Sequence, residues 1–271
     1  MKSIYVNLFF ALILLTSCSN AQPQNDPIPE HETFTIESKQ VGETRTINVW
    51  VPLEYKGSKD SLPVLYMPDG GLKEDFPHIA NTLDTLIKSK KIKPFILVGI
   101  ENTERKRDLT GPTEVEKDKE VAPVVGGSEK FRAFISDELF GEINKRYRTT
   151  NEKGIIGESL AGLFVAETFL LTPNMFDYYI AFDPSLWWNN KYLTRTAKEH
   201  LAKFPATPKR FWFVSSGTKG ISATVSQHAK DLETANLSNL KWKYSDEPKE
   251  KHNTIFRATK ERGLIWALNE Q

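Results

Sequence analysis

The chain has 271 residues, 39% of them hydrophobic and 26% charged. That is the composition of an ordinary globular protein, long enough for one large domain or two small ones. Its 16 Phe, 8 Tyr and 6 Trp are enough for a core and exclude disorder as the main state. The balance of 36 Lys and Arg against 35 Asp and Glu argues against nucleic acid as a main partner, and a single Cys excludes a disulfide framework or a multi-thiolate zinc site.

Lys2 precedes an apolar stretch from Ile4 to Leu15, which is too short to span a bilayer and reads as the core of a secretory signal. It ends in Leu15-Thr16-Ser17-Cys18, which resembles the bacterial lipobox. Residues 1–17 are therefore expected to be a lipoprotein signal peptide and Cys18 a lipidated first residue. Residues 18–31, with Pro23, Pro27 and Pro29, read as a flexible tether, and 32–271 as one domain.

Thr33–Ser38 and Thr44–Val51 alternate in strand fashion around Gly42, as an antiparallel hairpin does. Pro63–Met67 is a buried strand ending at Pro68-Asp69-Gly70-Gly71. Phe76, Ile79, Ala80, Leu83, Leu86 and Ile87 recur at helical spacing, and Pro94–Ile100 is a further strand. Residues 102–127 read as a long charged loop. Ser128 is expected to cap a helix with Phe131, Phe134, Ile135, Leu139, Ile143 and Tyr147 on its apolar face. Lys153–Gly157 (strand), Leu160–Leu171 (helix) and Tyr178–Phe182 (strand) come next, then Lys191–Lys203 (helix), Arg210–Ser215 (strand) and Ser222–Asn236 (helix). Leu240–Tyr244 (strand) and a helix from about Thr254 to Leu268 complete the chain. Strands alternating with helices after an opening hairpin predict an α/β fold with a mostly parallel central sheet and flanking helices.

The chemistry centres on Gly157-Glu158-Ser159-Leu160-Ala161-Gly162, between a short strand and a helix. That is the context of a nucleophile elbow, a tight turn that projects a serine hydroxyl and sets a helix-terminal amide beside a developing oxyanion. A serine needs a base. Among the five His, His31 lies in the tether, His78 reads as packed or surface, and His200 and His228 read as solvated. His252 follows the last strand and lies at the carboxyl edge with the elbow. The usual acid position, Ser216-Gly-Thr-Lys-Gly-Ile-Ser222, carries no carboxylate. Asp183 is the favoured acid, with Asp246, Glu247 and Glu250 as alternatives. The amides of Leu160 and of the Asp69-Gly70-Gly71 turn are the candidate oxyanion donors.

Val64–Gly70, Val98–Ile100, Arg107–Thr110, Gly127–Tyr147, Gly157–Gly162 and Pro184-Ser-Leu-Trp-Trp188 together resemble the esterase family of α/β-hydrolases that holds enterochelin-esterase-like and esterase-D-like proteins. The resemblance implies an α/β-hydrolase fold and a serine carboxylesterase using Ser159 and His252, with the Gly71 and Leu160 amides as the hole. Siderophore, carbohydrate or other acyl esters are the implied substrates. Trp187 and Trp188 can form a platform for a sugar or aromatic acyl group, or a core or lid element. Arg105, Lys106 and Arg107 can attract an anionic substrate, or form a solvated charge run. The expectation is an exported, membrane-anchored serine hydrolase with no metal or other cofactor. The alternatives are a non-catalytic binding lipoprotein, motivated by the missing acid, and an acyltransferase.

Overall fold

The computed structural model describes residues 26–269; the expected signal peptide, Cys18 and the first part of the tether lie outside them. Eight strands form one sheet: β1 (Glu32–Ser38), β2 (Glu43–Trp50), β3 (Leu62–Pro68), β4 (Ile96–Ile100), β5 (Thr149–Glu158), β6 (Tyr178–Phe182), β7 (Lys209–Ser216) and β8 (Leu240–Glu247). Their spatial order is β1-β2-β4-β3-β5-β6-β7-β8. The β1–β2 hairpin and the β2–β4 pair are antiparallel, and every pair from β4–β3 to β7–β8 is parallel. Gly42 takes the left-handed conformation (φ 71°) that turns the hairpin.

The period-two alternation of strand side chains divides the core into two layers. Val64, Tyr66, Ile155, Tyr179, Ala181, Phe211 and Phe213 face one side, and Leu65, Met67, Ile156, Ile180, Phe182, Trp212 and Val214 the other. The second side is covered by α2 (Phe76–Lys88) and by the last helix, α10 (Ile255–Leu268). The first is covered by the helices between β4 and β8 (α5, α6, α7, α8 and α9): Ser128–Ala133, Phe140–Arg146, Leu160–Leu171, Trp188–Leu201 and Ile221–Ala235. A five-residue helix, Leu53–Gly57, is α1. Helix α7 is buried on all sides through Leu170, so the elbow is backed by a rigid element.

Three local expectations are corrected. The 102–127 segment is not featureless: it holds α3 (Arg105–Asp108) and α4 (Glu116–Val121). Ser128 does not cap its helix; Gly127 precedes the first turn, and the Ser128 hydroxyl donates instead to Glu167 (2.8 Å). A π-helical stretch, Phe134–Leu139, joins α5 to α6. The last six residues of the expected tether lie on the domain surface: Asp26 pairs with Arg257, the Pro27 carbonyl accepts from Asn81, and Glu30 pairs with Lys56.

Candidate active site

Parallel strands bring their carboxyl ends to one rim, where open α/β sheets bind ligands. Here β5, β6, β7 and β8 are consecutive neighbours, so the residues after them converge. Ser159 follows β5 with φ 60° and ψ −115°, backbone values that a non-glycine residue adopts only under strain. The elbow needs its glycines. A Cβ at Gly157 would stand 2.7 Å from the Ala161 backbone, and one at Gly162 2.9 Å from the Phe182 carbonyl oxygen. The residue two beyond the serine, Ala161, is tolerated; the close approach to β6 falls on Gly162.

Ser159 Oγ lies 2.9 Å from His252 Nε2, and His252 Nδ1 lies 2.6 Å from Asp183 Oδ2. A neutral imidazole with its proton on Nδ1 donates to Asp183 and accepts from the serine hydroxyl. Asp183 is fully buried at the end of β6. Its Oδ1 accepts the Ser216 N–H (2.7 Å) and its Oδ2 the Ser216 hydroxyl (2.8 Å). The carboxylate therefore has a buried partner for each oxygen besides the imidazole. Its hydrogen bond is the main cause that raises the His252 pKa, against burial.

The carboxylates of the 246–250 stretch are engaged elsewhere. Glu247 takes Ser245 and Arg262, Glu250 takes Thr254, and Asp246 receives a 3.4 Å contact from Ser215. The loop after β7, which lacks an acid, supplies hydroxyls instead. Ser216 holds Asp183, and Thr218 Oγ1 accepts the His252 N–H (3.1 Å) while its own hydroxyl donates to Ser216 Oγ (2.8 Å). Gly217 donates to the Glu250 carbonyl, and a Cβ there would meet the Pro248 oxygen at 2.3 Å; the β7 and β8 loops close on each other only around a glycine. Hydroxyl residues in an acid-free loop at the carboxyl edge were a readable signal for this support.

On the oxyanion side, Leu160 opens α7, where a helix leaves its first N–H groups without intrahelical acceptors. The Asp69-Gly70-Gly71 turn follows β3. A Cβ on Gly70 would stand 2.2 Å from the Ile100 nitrogen, so that residue must be glycine. The Gly71 N–H donates to Glu74 Oε2 (2.7 Å), while Asn102 Nδ2 donates to Glu74 Oε1 (2.8 Å) and to Asp69 Oδ1 (2.6 Å). Burial raises the Glu74 pKa against these hydrogen bonds. A substrate oxygen at the Gly71 amide must take the place of this carboxyl.

Four expected substrate contacts are revised. Trp188 is buried, and its Nε1–H donates to the Gly111 carbonyl (3.0 Å), so it pins the 102–127 segment rather than offering a platform. Arg107 forms ion pairs with Asp108 (2.7 Å) and Glu43 (2.5 Å), and these neighbours neutralise it. Arg105 is held by both oxygens of Asp69 at 2.6 Å, and Lys106 donates to the Val121 carbonyl. Trp187 is half-buried and lines a cavity of about 710 Å³ with Val115, Val121, Lys117, Lys219 and Thr218. His78 is buried with Nε2 2.9 Å from Asp75. His228, expected to be solvated, is fully buried instead, packed edge-on against Phe211 and Phe213.

The chain matches the family model described as "Putative esterase" over residues 38–268. It belongs to this esterase family. It is 37% identical over 115 residues to the ferri-bacillibactin esterase BesA of Bacillus subtilis, covering 38% of this chain and 40% of that one. It is 27% identical over 196 residues to a siderophore triacetylfusarinine C esterase of Aspergillus fumigatus, covering 65% of this chain and 63% of the relative. Each alignment thus spans less than two thirds of the relative. Among solved structures, an IroE-like serine hydrolase from Shewanella oneidensis superposes with a TM-score of 0.80 at 25% identity, over 88% of this chain and 79% of that chain. The α/β-hydrolase fold expected for this esterase family is the one observed.

Proposed function

We propose that this esterase-family protein is a serine carboxylic-ester hydrolase that works through an acyl-enzyme, with Ser159 as nucleophile, His252 as base and Asp183 as the orienting acid. The observation that carries the reading is the unbroken relay from a strained serine to an imidazole to a buried carboxylate, at 2.9 Å and 2.6 Å. In the first step His252 Nε2 takes the Ser159 proton as Oγ attacks the ester carbonyl. Asp183 stabilises the imidazolium so formed, and the amide at the start of α7 faces the developing oxyanion. The imidazolium returns its proton to the leaving alcohol. Water, deprotonated by His252, then releases the acid and restores the serine.

The substrates proposed are siderophore esters, the class named for both curated relatives, with carbohydrate esters as the competing class. The cavity beside Thr218 suits an aromatic, anionic acyl group: Trp187, Val115 and Val121 supply apolar surface, and Lys117 and Lys219 supply positive charge, while the Asp118 carboxylate that also lines it is occupied by the Thr113 hydroxyl and the Asn189 N–H. The non-catalytic binder loses its motive once a carboxylate lies on His252 Nδ1. We also propose that the protein is exported and held at a membrane through lipid on Cys18.

A fluorophosphonate probe tests the mechanism: the wild type is labelled and Ser159→Ala is not. Failure of the folded wild type to label or to cleave activated esters refutes it. A panel of catecholate siderophore, acetylated-sugar and feruloyl esters, with product analysis in the presence of acceptor alcohols, decides substrate class and separates hydrolysis from acyl transfer. Radiolabelled lipid incorporation that Cys18→Ser abolishes tests the anchor.

A further inference from the structure

The relay uses one face of His252 Nε2, the one toward Ser159. A second oxygen faces the same nitrogen. Glu158, the last residue of β5 and the immediate neighbour of the nucleophile, holds its Oε1 3.7 Å from Nε2. That is too long for a hydrogen bond but well within ion-pair reach, and the Glu158 side chain is only 18% exposed, so solvent screens the interaction weakly.

The groups around this carboxyl come from four elements. His252 follows β8, Arg105 lies in α3, Asp69 follows β3, and Asp75 precedes α2. Arg105 is held by both oxygens of Asp69, and Asp75 accepts a hydrogen bond from His78 Nε2. Of these groups His252 is the one that both gains or loses its charge in the neutral range and approaches Glu158 directly, at 3.7 Å. Burial raises the Glu158 pKa and the His252 charge opposes that rise, while Glu158 in turn helps raise the His252 pKa. Two titratable groups that stand 3.7 Å apart and shift each other behave as a coupled pair.

We propose that Glu158 is a positioning residue for His252: its carboxylate competes with Ser159 for the Nε2 proton and so sets the pH at which the base becomes competent. The proton balance is simple. When the pair holds one proton as imidazolium and carboxylate, Nε2–H is drawn toward Glu158 and cannot accept from the serine hydroxyl. Loss of that proton leaves Nε2 free to accept. During acyl transfer the same carboxylate stabilises the imidazolium until its proton passes to the leaving alcohol. Glu158 acts through His252 and touches no reacting atom.

The inference rests on the hydrolase reading, and the test separates the two. The kcat/KM of a neutral ester, p-nitrophenyl butyrate read at the isosbestic wavelength of its product, is followed from pH 5 to 9 for the wild type, Glu158→Gln and Glu158→Asp. Removal of the carboxylate lowers the His252 pKa. The acid limb of Glu158→Gln is therefore expected to move down by about one pH unit, with a plateau within a few-fold of the wild type. Glu158→Asp, whose carboxylate is one methylene further back, should shift the limb in the same direction by less. A merely structural role would lower the plateau or the Tm and leave the limb in place. An unmoved limb in either folded, active variant overturns the proposal. NMR titration of the His252 ring in Ser159→Ala, with and without Glu158→Gln, reads the same coupling without turnover. An unchanged titration there refutes the coupling even if the hydrolase reading fails.

Discussion

Asp183→Asn is isosteric and removes one charge, yet it is expected to reduce kcat by about four orders of magnitude. Asp183 is fully buried and accepts three hydrogen bonds, from the Ser216 N–H, the Ser216 hydroxyl and His252 Nδ1–H. An asparagine has one acceptor oxygen and one donor NH2. If its oxygen keeps the Ser216 N–H, its NH2 faces His252 Nδ1 and donates to it. The imidazole then carries its proton on Nε2, the nitrogen 2.9 Å from Ser159, and can no longer accept the serine proton. The same carboxylate-to-amide change in the serine-protease triad costs about 10⁴ in kcat, which corresponds to about 5.4 kcal/mol of barrier. The assay is kcat on a neutral ester at pH 8, with the melting temperature and circular dichroism of both proteins. A folded Asp183→Asn within tenfold of the wild type would refute the tautomer argument and return the acid role to another group.

Three further outcomes are expected. His228 is fully buried, and burial pushes its pKa down to about 4. The unfolded state then binds the proton first, so stability falls as pH drops below the unfolded value of 6.5, by about 3 kcal/mol in full near pH 4. His228→Leu should abolish that part of the acid loss in urea unfolding at pH 4.5 and 7; equal pH dependence in both proteins would refute it. Gly157→Ala puts a Cβ 2.7 Å from the Ala161 backbone, so the elbow must open. Loss of fluorophosphonate labelling and about 1–3 kcal/mol of stability are expected, and a fully labelled, equally stable variant contradicts the packing. Glu74→Ala frees the Gly71 N–H from its 2.7 Å partner. If that amide serves the oxyanion, kcat/KM should rise several-fold, and an unchanged or lower value would exclude Gly71 from the role.

Much of the site was legible because its parts are local. The elbow shows as small residues around Ser159 between a strand and a helix, and the central strands show as apolar runs broken at their carboxyl ends. The misreadings share one cause: pairing partners distant in the chain. Arg107 looks free until Glu43 meets it, Trp188 looks available until Gly111 takes its N–H, and Ser128 looks like a cap until Glu167 accepts its hydroxyl. His228 sits in a polar helical stretch, but the helix turns it against two phenylalanines of β7.

By itself the amino-acid order determined the α/β alternation, the serine at its bend and the candidate base after the last strand, since backbone preference and hydrophobic period act between near neighbours. It left the acid open among four carboxylates. That choice belongs to the sheet, where Glu158 lies opposite Phe182 and Phe182 opposite Val214. This register sets Ser159, Asp183 and the β7 loop side by side at one level, and it arises from hydrogen bonds between strands dozens of residues apart. The same cross-strand arrangement brings the Glu158 carboxyl to His252 and leaves the carboxylates of the 246–250 stretch bound to partners of their own.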